Sequence, residues 1–240
     1  MFSLKFDEVF VHTGNILKMG DVKLKTGSKS SDELLVALKG TLENGTYEES
    51  ERALKITNLD ILYEADPKEL VTSVKVFLKT PSKEALRNAA EQVLKTLENL
   101  TVDSLIIWYP ETMIEEPSKK LLDIWSVLEE YVREGRVKNL GIADLDTKVF
   151  VSLYNQVKEK PSIFHLTVQN CCVVPVDLQE FAREHDIQLL THNDPPDILP
   201  EESIMEQFKN LNVYWIARYH SHVKCRGVLV SKGYLLSFQA

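Results

Sequence analysis

The stretch VDSLIIWYPE, residues 102–111, decides the architecture. Four small or apolar residues run from Ser104 to Ile107, and the segment closes on Trp108, Tyr109 and Pro110. A short, near-continuous apolar run reads as a strand buried on both faces, as in a parallel sheet. The last residues of such a strand stand where an enzyme of that architecture keeps its chemistry. Here they are aromatic, and the strand end carries no carboxylate or imidazole.

On either side the same alternation continues. DEVFVHTG (7–14) reads as a strand and SSDELLVALKGTLENG (30–45) as a helix, with Ser31 as N-cap and Gly45 just past its end. ALKITNLDILYEA (53–65) holds a second strand and SVKVFLKT (73–80) a third. Ser82 caps the next helix, in which Ala85, Ala89, Val93, Leu97 and Leu100 recur at helical spacing. After the 102–111 strand comes a helix over 118–134, with Leu121, Ile124, Trp125, Leu128 and Val132 on one face. Strands follow at 137–143, 163–170 and 186–192, separated by helices at 146–158 and 176–185. A helical stretch over 201–226 and an eighth strand, GVLVS (227–231), complete the reading.

Helices between short apolar strands imply parallel pairing, because each crossover must cover the sheet. Eight such units in 240 residues fit a (β/α)8 barrel of the TIM type, one domain spanning 1–240. A doubly wound sheet is the alternative, but HTGNILKMGD (12–21) lacks the Gly-rich phosphate fingerprint expected after its first strand. In a barrel the residues of interest lie at the C-terminal strand ends, near Thr13, Tyr63, Lys79, Trp108, Ala143, Asn170, His192 and Lys232.

Composition narrows the function classes. The chain is 44% hydrophobic and 27% charged, ordinary for a globular protein. A net charge of −8 and a pI near 5.4 give no pull towards nucleic acid or anionic membrane. Lys5, Asp7 and Glu8 come too early for a secretory apolar core, and no window is long and apolar enough to span a bilayer. Three cysteines, two adjacent as Cys171 and Cys172, do not make a disulfide framework, so a reducing cytoplasm is expected.

RVKNLGIADLD (136–146), with DSLIIWYP before it and RGVLVSKG after it, resembles the aldo-keto reductases. The resemblance implies a barrel of that family's type, shortened at its C-terminus. It also implies an Asp, Tyr, Lys and His set that reduces a carbonyl with NADPH. This chain departs from the set. The histidine position falls on Trp108, whose indole has no titratable proton. Asp60 and Tyr63 are three residues apart where the family separates its pair by five, and Lys75 or Lys79 matches the lysine. The Ser-Asn that holds the nicotinamide becomes Ala143-Asp144, and the strand-six glutamine falls near His165. Lys232 matches the lysine near the cofactor phosphate, but its following serine is Gly233. No bound cofactor is therefore expected, with Asp144 and Lys232 as vestiges of an NADPH site.

TGNILKMGD (13–21), NCCVVPVDLQEFAREHDIQLLTHNDP (170–195) and RYHSHVKCRGVLVSKGYL (218–235) resemble a narrower family, the modifier or regulatory subunits of glutamate–cysteine ligase. This is a catalytically silent branch of the aldo-keto reductase fold. The resemblance implies a pseudoenzyme that forms a heterodimer with the ligase catalytic subunit in glutathione biosynthesis. There it improves glutamate use and relieves glutathione feedback inhibition. The alternatives are an NADPH-dependent aldo-keto reductase and a non-catalytic NADPH sensor.

Trp108 and Tyr109 are either anchors of a partner interface or plugs of the barrel mouth. Cys171, Cys172 and Cys225 are either inert buried thiols or candidates for a disulfide with the partner. His192, Asn193 and Asp194 form a loop-start hydrogen-bond network or a partner contact. His220 and His222 make an H-x-H without a third ligand in view, so no metal is expected. The acidic stretch from Glu43 to Glu51 is a solvated loop or the counterpart of a basic patch.

Overall fold

The computed structural model describes residues 5–20, 29–58, 67–97, 101–109, 118–167, 174–204 and 207–240. They divide into two compact units, 73–193 and a second made of residues up to 72 with 194–240.

Residues 73–193 follow the sequence reading closely. Strand β4 (Leu70–Leu78) enters this unit at Ser73. It is followed by β5 (Val102–Trp108), β6 (Val137–Ala143), β7 (Ile163–Thr167) and β8 (Gln188–His192), all paired in parallel in that order. Helices α2 (Lys83–Thr96), α3 (Lys119–Arg133), α4 (Thr147–Gln156) and α5 (Val176–Glu184) make the crossovers. Ser82 Oγ accepts from Ala85 N at 3.0 Å, which caps α2 as its sequence suggested. Ser118 and Asp146 cap α3 and α4 in the same way. The α3 stripe of Leu121, Ile124, Trp125 and Leu128 is buried, and Trp125 Nε1 donates to the Glu159 carbonyl at 2.9 Å.

Register places Phe77, Trp108, Ala143, His165 and Leu190 side by side across the five strands. Two residues earlier runs a second row of Lys75, Ile106, Gly141, Ile163 and Gln188, on the same face because side chains alternate with a period of two. Gly141 is required there: a Cβ would lie 2.7 Å from Ile106 Cγ1 and 3.0 Å from the Cβ of Ile163.

The other unit is built differently. Its strands β1 (Glu8–His12), β2 (Thr46–Glu49), β3 (Ala53–Thr57), β9 (Asn212–Val223) and β10 (Leu229–Gln239) lie in the order β2-β3-β1-β10-β9. Only the β1–β3 pair is parallel. Helix α1 (Ser30–Asn44) is capped two residues earlier than expected, with Lys29 and not Ser31 at its cap position. No side chain caps it, and Asp32 and Glu33 supply the negative charge that favours a helix start.

The helix expected over 201–226 is not formed. A single 3-10 turn spans Glu201–Ser203, and NVYWIARYHSHV is β9. Trp215, Ala217, Tyr219 and Ser221 alternate onto one buried face, and aromatic residues suit a pleated surface. Likewise the short eighth strand expected at 227–231 is β10, an eleven-residue strand antiparallel to both β9 and β1.

Candidate functional site

At the C-terminal ends of the parallel strands stand Trp108 and Tyr109, both engaged in packing. Trp108 is half-buried and packs on the cluster of Ile106, Ala143 and Ile163, with its ring centroid 6.4 Å from that of Phe77. Tyr109 is buried, and its hydroxyl lies 3.3 Å from Ser118 Oγ at the α3 cap. Lys75, a match for the family lysine, is buried on the same face as Trp108, its ammonium 5.1 Å from the Phe77 ring centroid. Lys79 lies just past the end of β4.

Beside them is a polar knot. Asp144 follows β6 with φ +57°, a left-handed conformation that Asp tolerates better than most residues. Its Oδ1 accepts from Thr167 N at 3.0 Å and stands 3.0 Å from His192 Nε2. The His165 and His192 rings are stacked at 5.8 Å. Asp144 and His192, distant in sequence, thus tie the ends of β6, β7 and β8 together. Asn193 is exposed immediately after.

The other unit holds a second group of ionisable side chains. Asp194 is 6% exposed and makes a two-pronged ion pair with buried Arg218, including Nη2 to Oδ2 at 2.9 Å. Lys232 reaches the Glu33 carboxylate at 2.7 Å, and Tyr234 donates its hydroxyl to the same carboxylate at 2.6 Å. Burial is the main reason that the Tyr234 hydroxyl is pushed above its ordinary range. His220 lies between Arg218 and Lys232 on this face; burial and then the Arg218 charge lower its pKa to about 3. Its Nε2 is buried without a hydrogen-bond partner among the described residues.

On the opposite face of β9 and β10, Tyr219 donates its hydroxyl to the Gly14 carbonyl at 3.0 Å, and His12 Nε2 is 3.4 Å from the Tyr219 oxygen. That hydroxyl has one proton and gives it to Gly14, so the imidazole is the donor in the His12 contact. Gly233 permits this packing. A Cβ there would collide with the Gly14 carbonyl and the Tyr219 hydroxyl.

Of the cysteines, Cys225 is free and exposed in the β9–β10 turn, while Cys171 and Cys172 lie outside the described residues. So do Asp60, Tyr63 and Asn170. The structure brings Asp144 to His192, and Asp194 to Arg218. Glu33, Arg218 and Tyr234 carry no signal in the sequence, because no linear spacing links α1, β9 and β10. Among the described residues no three His, Cys, Asp or Glu side chains are grouped to hold a metal, and no helix is long and apolar enough to cross a membrane.

Comparison with known proteins gives this geometry its setting. The sequence profile of the aldo/keto reductase family matches residues 23–193. The glutamate–cysteine ligase regulatory subunit of Homo sapiens is 31% identical, with 94% of this chain and 90% of that one aligned. The Rattus norvegicus protein of the same name is equally similar over the same shares. Among solved structures, an aldo/keto reductase from Brucella melitensis is 20% identical, over 74% of this chain and 60% of that one, with a TM-score of 0.45. The chain belongs to the aldo/keto reductase family, whose (β/α)8 fold class its strand–helix alternation announced, and is similar over nearly its whole length to glutamate–cysteine ligase regulatory subunits.

Proposed function

We propose that this chain is a non-catalytic regulatory subunit of glutamate–cysteine ligase, acting in the cytoplasm as one domain that pairs with the ligase catalytic subunit. Its effect is to improve glutamate use and to relieve feedback inhibition by glutathione. The observation that carries the reading is Trp108. Where a reductase of this family keeps a histidine, an indole packs on Ile106, Ala143 and Ile163. Two further groups matched to the cofactor site are engaged by the chain's own side chains, Asp144 with His192 and Lys232 with Glu33.

Regulation without chemistry requires differential affinity. The subunit must bind the glutamate-competent state of its partner more tightly than the glutathione-inhibited state. Couplings of about 1–3 kcal/mol, or roughly five- to 150-fold in affinity, are typical. Exposed Asn193 and half-buried Trp108 are suited to direct contact with the partner. Buried Tyr109, His192 and Asp194 act by holding the surrounding loops in shape. Cys225, exposed between Lys224 and Arg226, is the candidate for a redox-sensitive disulfide with the partner, together with Cys171 and Cys172.

The test is co-purification with the ligase catalytic chain, followed by glutamate kinetics and glutathione inhibition with and without this subunit. A complex with lower glutamate KM and weaker glutathione inhibition is expected; unchanged kinetics would refute the reading. Changing all three cysteines to Ser is expected to abolish the difference between oxidised and reduced affinity for the partner. The family match at 23–193 favours one other reading, an NADPH-dependent reductase or an NADPH sensor. Turnover of a reactive aldehyde separates the former, and an NADPH fluorescence titration the latter.

A further inference from the structure

Between α4 and α5 lies a groove of about 590 Å³, lined by Thr147, Lys148, Val151, Ser152, Asn155, Asp177 and Phe181. The five α4 positions fall at i, i+1, i+4, i+5 and i+8, one stripe of a helix, and Asp177 and Phe181 are one turn apart on α5. Its floor is apolar. Val151 and Phe181 form it, and the Phe181 ring is held edge-on by Phe150 at 6.1 Å and Tyr154 at 5.2 Å. Because α4 and α5 each follow a parallel strand, their first turns open on the same side. Lys148 and Asp177 stand in those turns.

Neither charge serves an ion pair among the described residues. Among the described residues the Lys148 ammonium has no carboxylate partner, and Asp177 accepts only from its neighbour Leu178 N at 2.9 Å. Nor does helix stability explain Lys148. A cation in the first turn opposes the helix macrodipole, and the only carboxylate at that end, the N-cap Asp146, accepts from the backbone N–H of Lys148 at 2.8 Å. One cation, one anion, hydroxyls and a terminal amide therefore surround an apolar floor, in a volume typical of small-molecule sites.

We propose that this groove binds a zwitterionic short peptide. The α-carboxylate pairs with Lys148 and the α-ammonium with Asp177, while an apolar side chain rests on Val151 and Phe181. The site is separate from the strand ends and does not depend on the ligase reading.

The probe is glycyl-leucine, titrated into the isotopically labelled full chain and followed by amide chemical shifts. Saturable shifts are expected at Val151, Ser152, Asn155 and Phe181. N-acetylation or C-terminal amidation of the probe is expected to weaken binding about fivefold each, the scale of an exposed ion pair. Lys148→Ala and Asp177→Asn, both exposed positions, should each weaken glycyl-leucine by a similar factor without altering thermal unfolding. Lys148→Ala should not weaken the amidated probe, which lacks the carboxylate. Absence of saturable shifts, shifts confined to other residues, or affinities indifferent to both substitutions would each overturn the proposal.

Discussion

The Glu33 carboxylate of α1 accepts from two groups of one strand, the Lys232 ammonium at 2.7 Å and the Tyr234 hydroxyl at 2.6 Å. Residues 232 and 234 share a face of β10, so a single side chain from the helix fastens both. All three are largely or wholly shielded from water. Glu33→Gln keeps the shape and removes the charge. The expected loss is about 1–2 kcal/mol in urea unfolding, with Tyr234→Phe costing about 1 kcal/mol. Because both act on the same carboxylate, the double variant should lose less than the sum. Strict additivity would show that the carboxylate does not join the two.

Gly233→Ala is expected to be strongly destabilising. The added methyl meets the backbone carbonyl of Gly14 and the hydroxyl of Tyr219, neither of which is the free end of a flexible chain. Overpacking of this kind costs typically about 1–3 kcal/mol, and here it also displaces the Tyr219 to Gly14 hydrogen bond. A drop of about 3 kcal/mol in chemical denaturation is anticipated. Tyr219→Phe in the Gly233→Ala background should recover part of it, since the clashing oxygen is then gone.

Asp194→Ala leaves Arg218 buried with its partner removed. Breaking one side of a buried pair costs about 3–5 kcal/mol, because the remaining charge is uncompensated. Replacing both residues with apolar ones of similar size should cost much less than Asp194→Ala alone. Equal losses for the single and double changes in thermal unfolding would contradict the account.

Two histidines make stability fall in mild acid. Burial, and then the charge of Lys55, lower the pKa of His12 from 6.5 to about 4. The unfolded chain therefore binds more protons than the folded one between about 4 and 6.5. Stability from this group is complete above pH 6.5 and is lost as pH falls towards 4. His220 acts in the same direction, down to about 3. Within the window each histidine contributes a slope of about 1.4 kcal/mol per pH unit, so His12 alone accounts for on the order of 3 kcal/mol. Urea unfolding at several pH values should show a shallower slope in His12→Gln than in the parent chain. Parallel slopes would mean that His12 titrates normally when folded.

Local pattern alone carried much of this protein. The apolar run 137–143 predicts a strand, and β6 spans those positions; Ser82 is a predicted cap, and it caps α2. Apolar run length, helical spacing and cap chemistry act between near neighbours, so they survive without knowledge of the fold. The 201–226 segment failed because its apolar residues fit more than one period, and pairing with β10 chose the extended one. The site residues divide the same way. Trp108 at a strand end was legible from its own segment, since position along a parallel strand sets where a side chain emerges. Glu33 with Lys232, Asp194 with Arg218 and Asp144 with His192 were not. Those pairs join groups 199, 24 and 48 positions apart, and only the packing of strands and helices brings such groups within hydrogen-bond reach. The sequence by itself determined the alternating elements, the family and the missing imidazole. The tertiary structure decided which charges are spent on one another, because an ion pair depends on distance in space and on exclusion of water, neither of which is written along the chain.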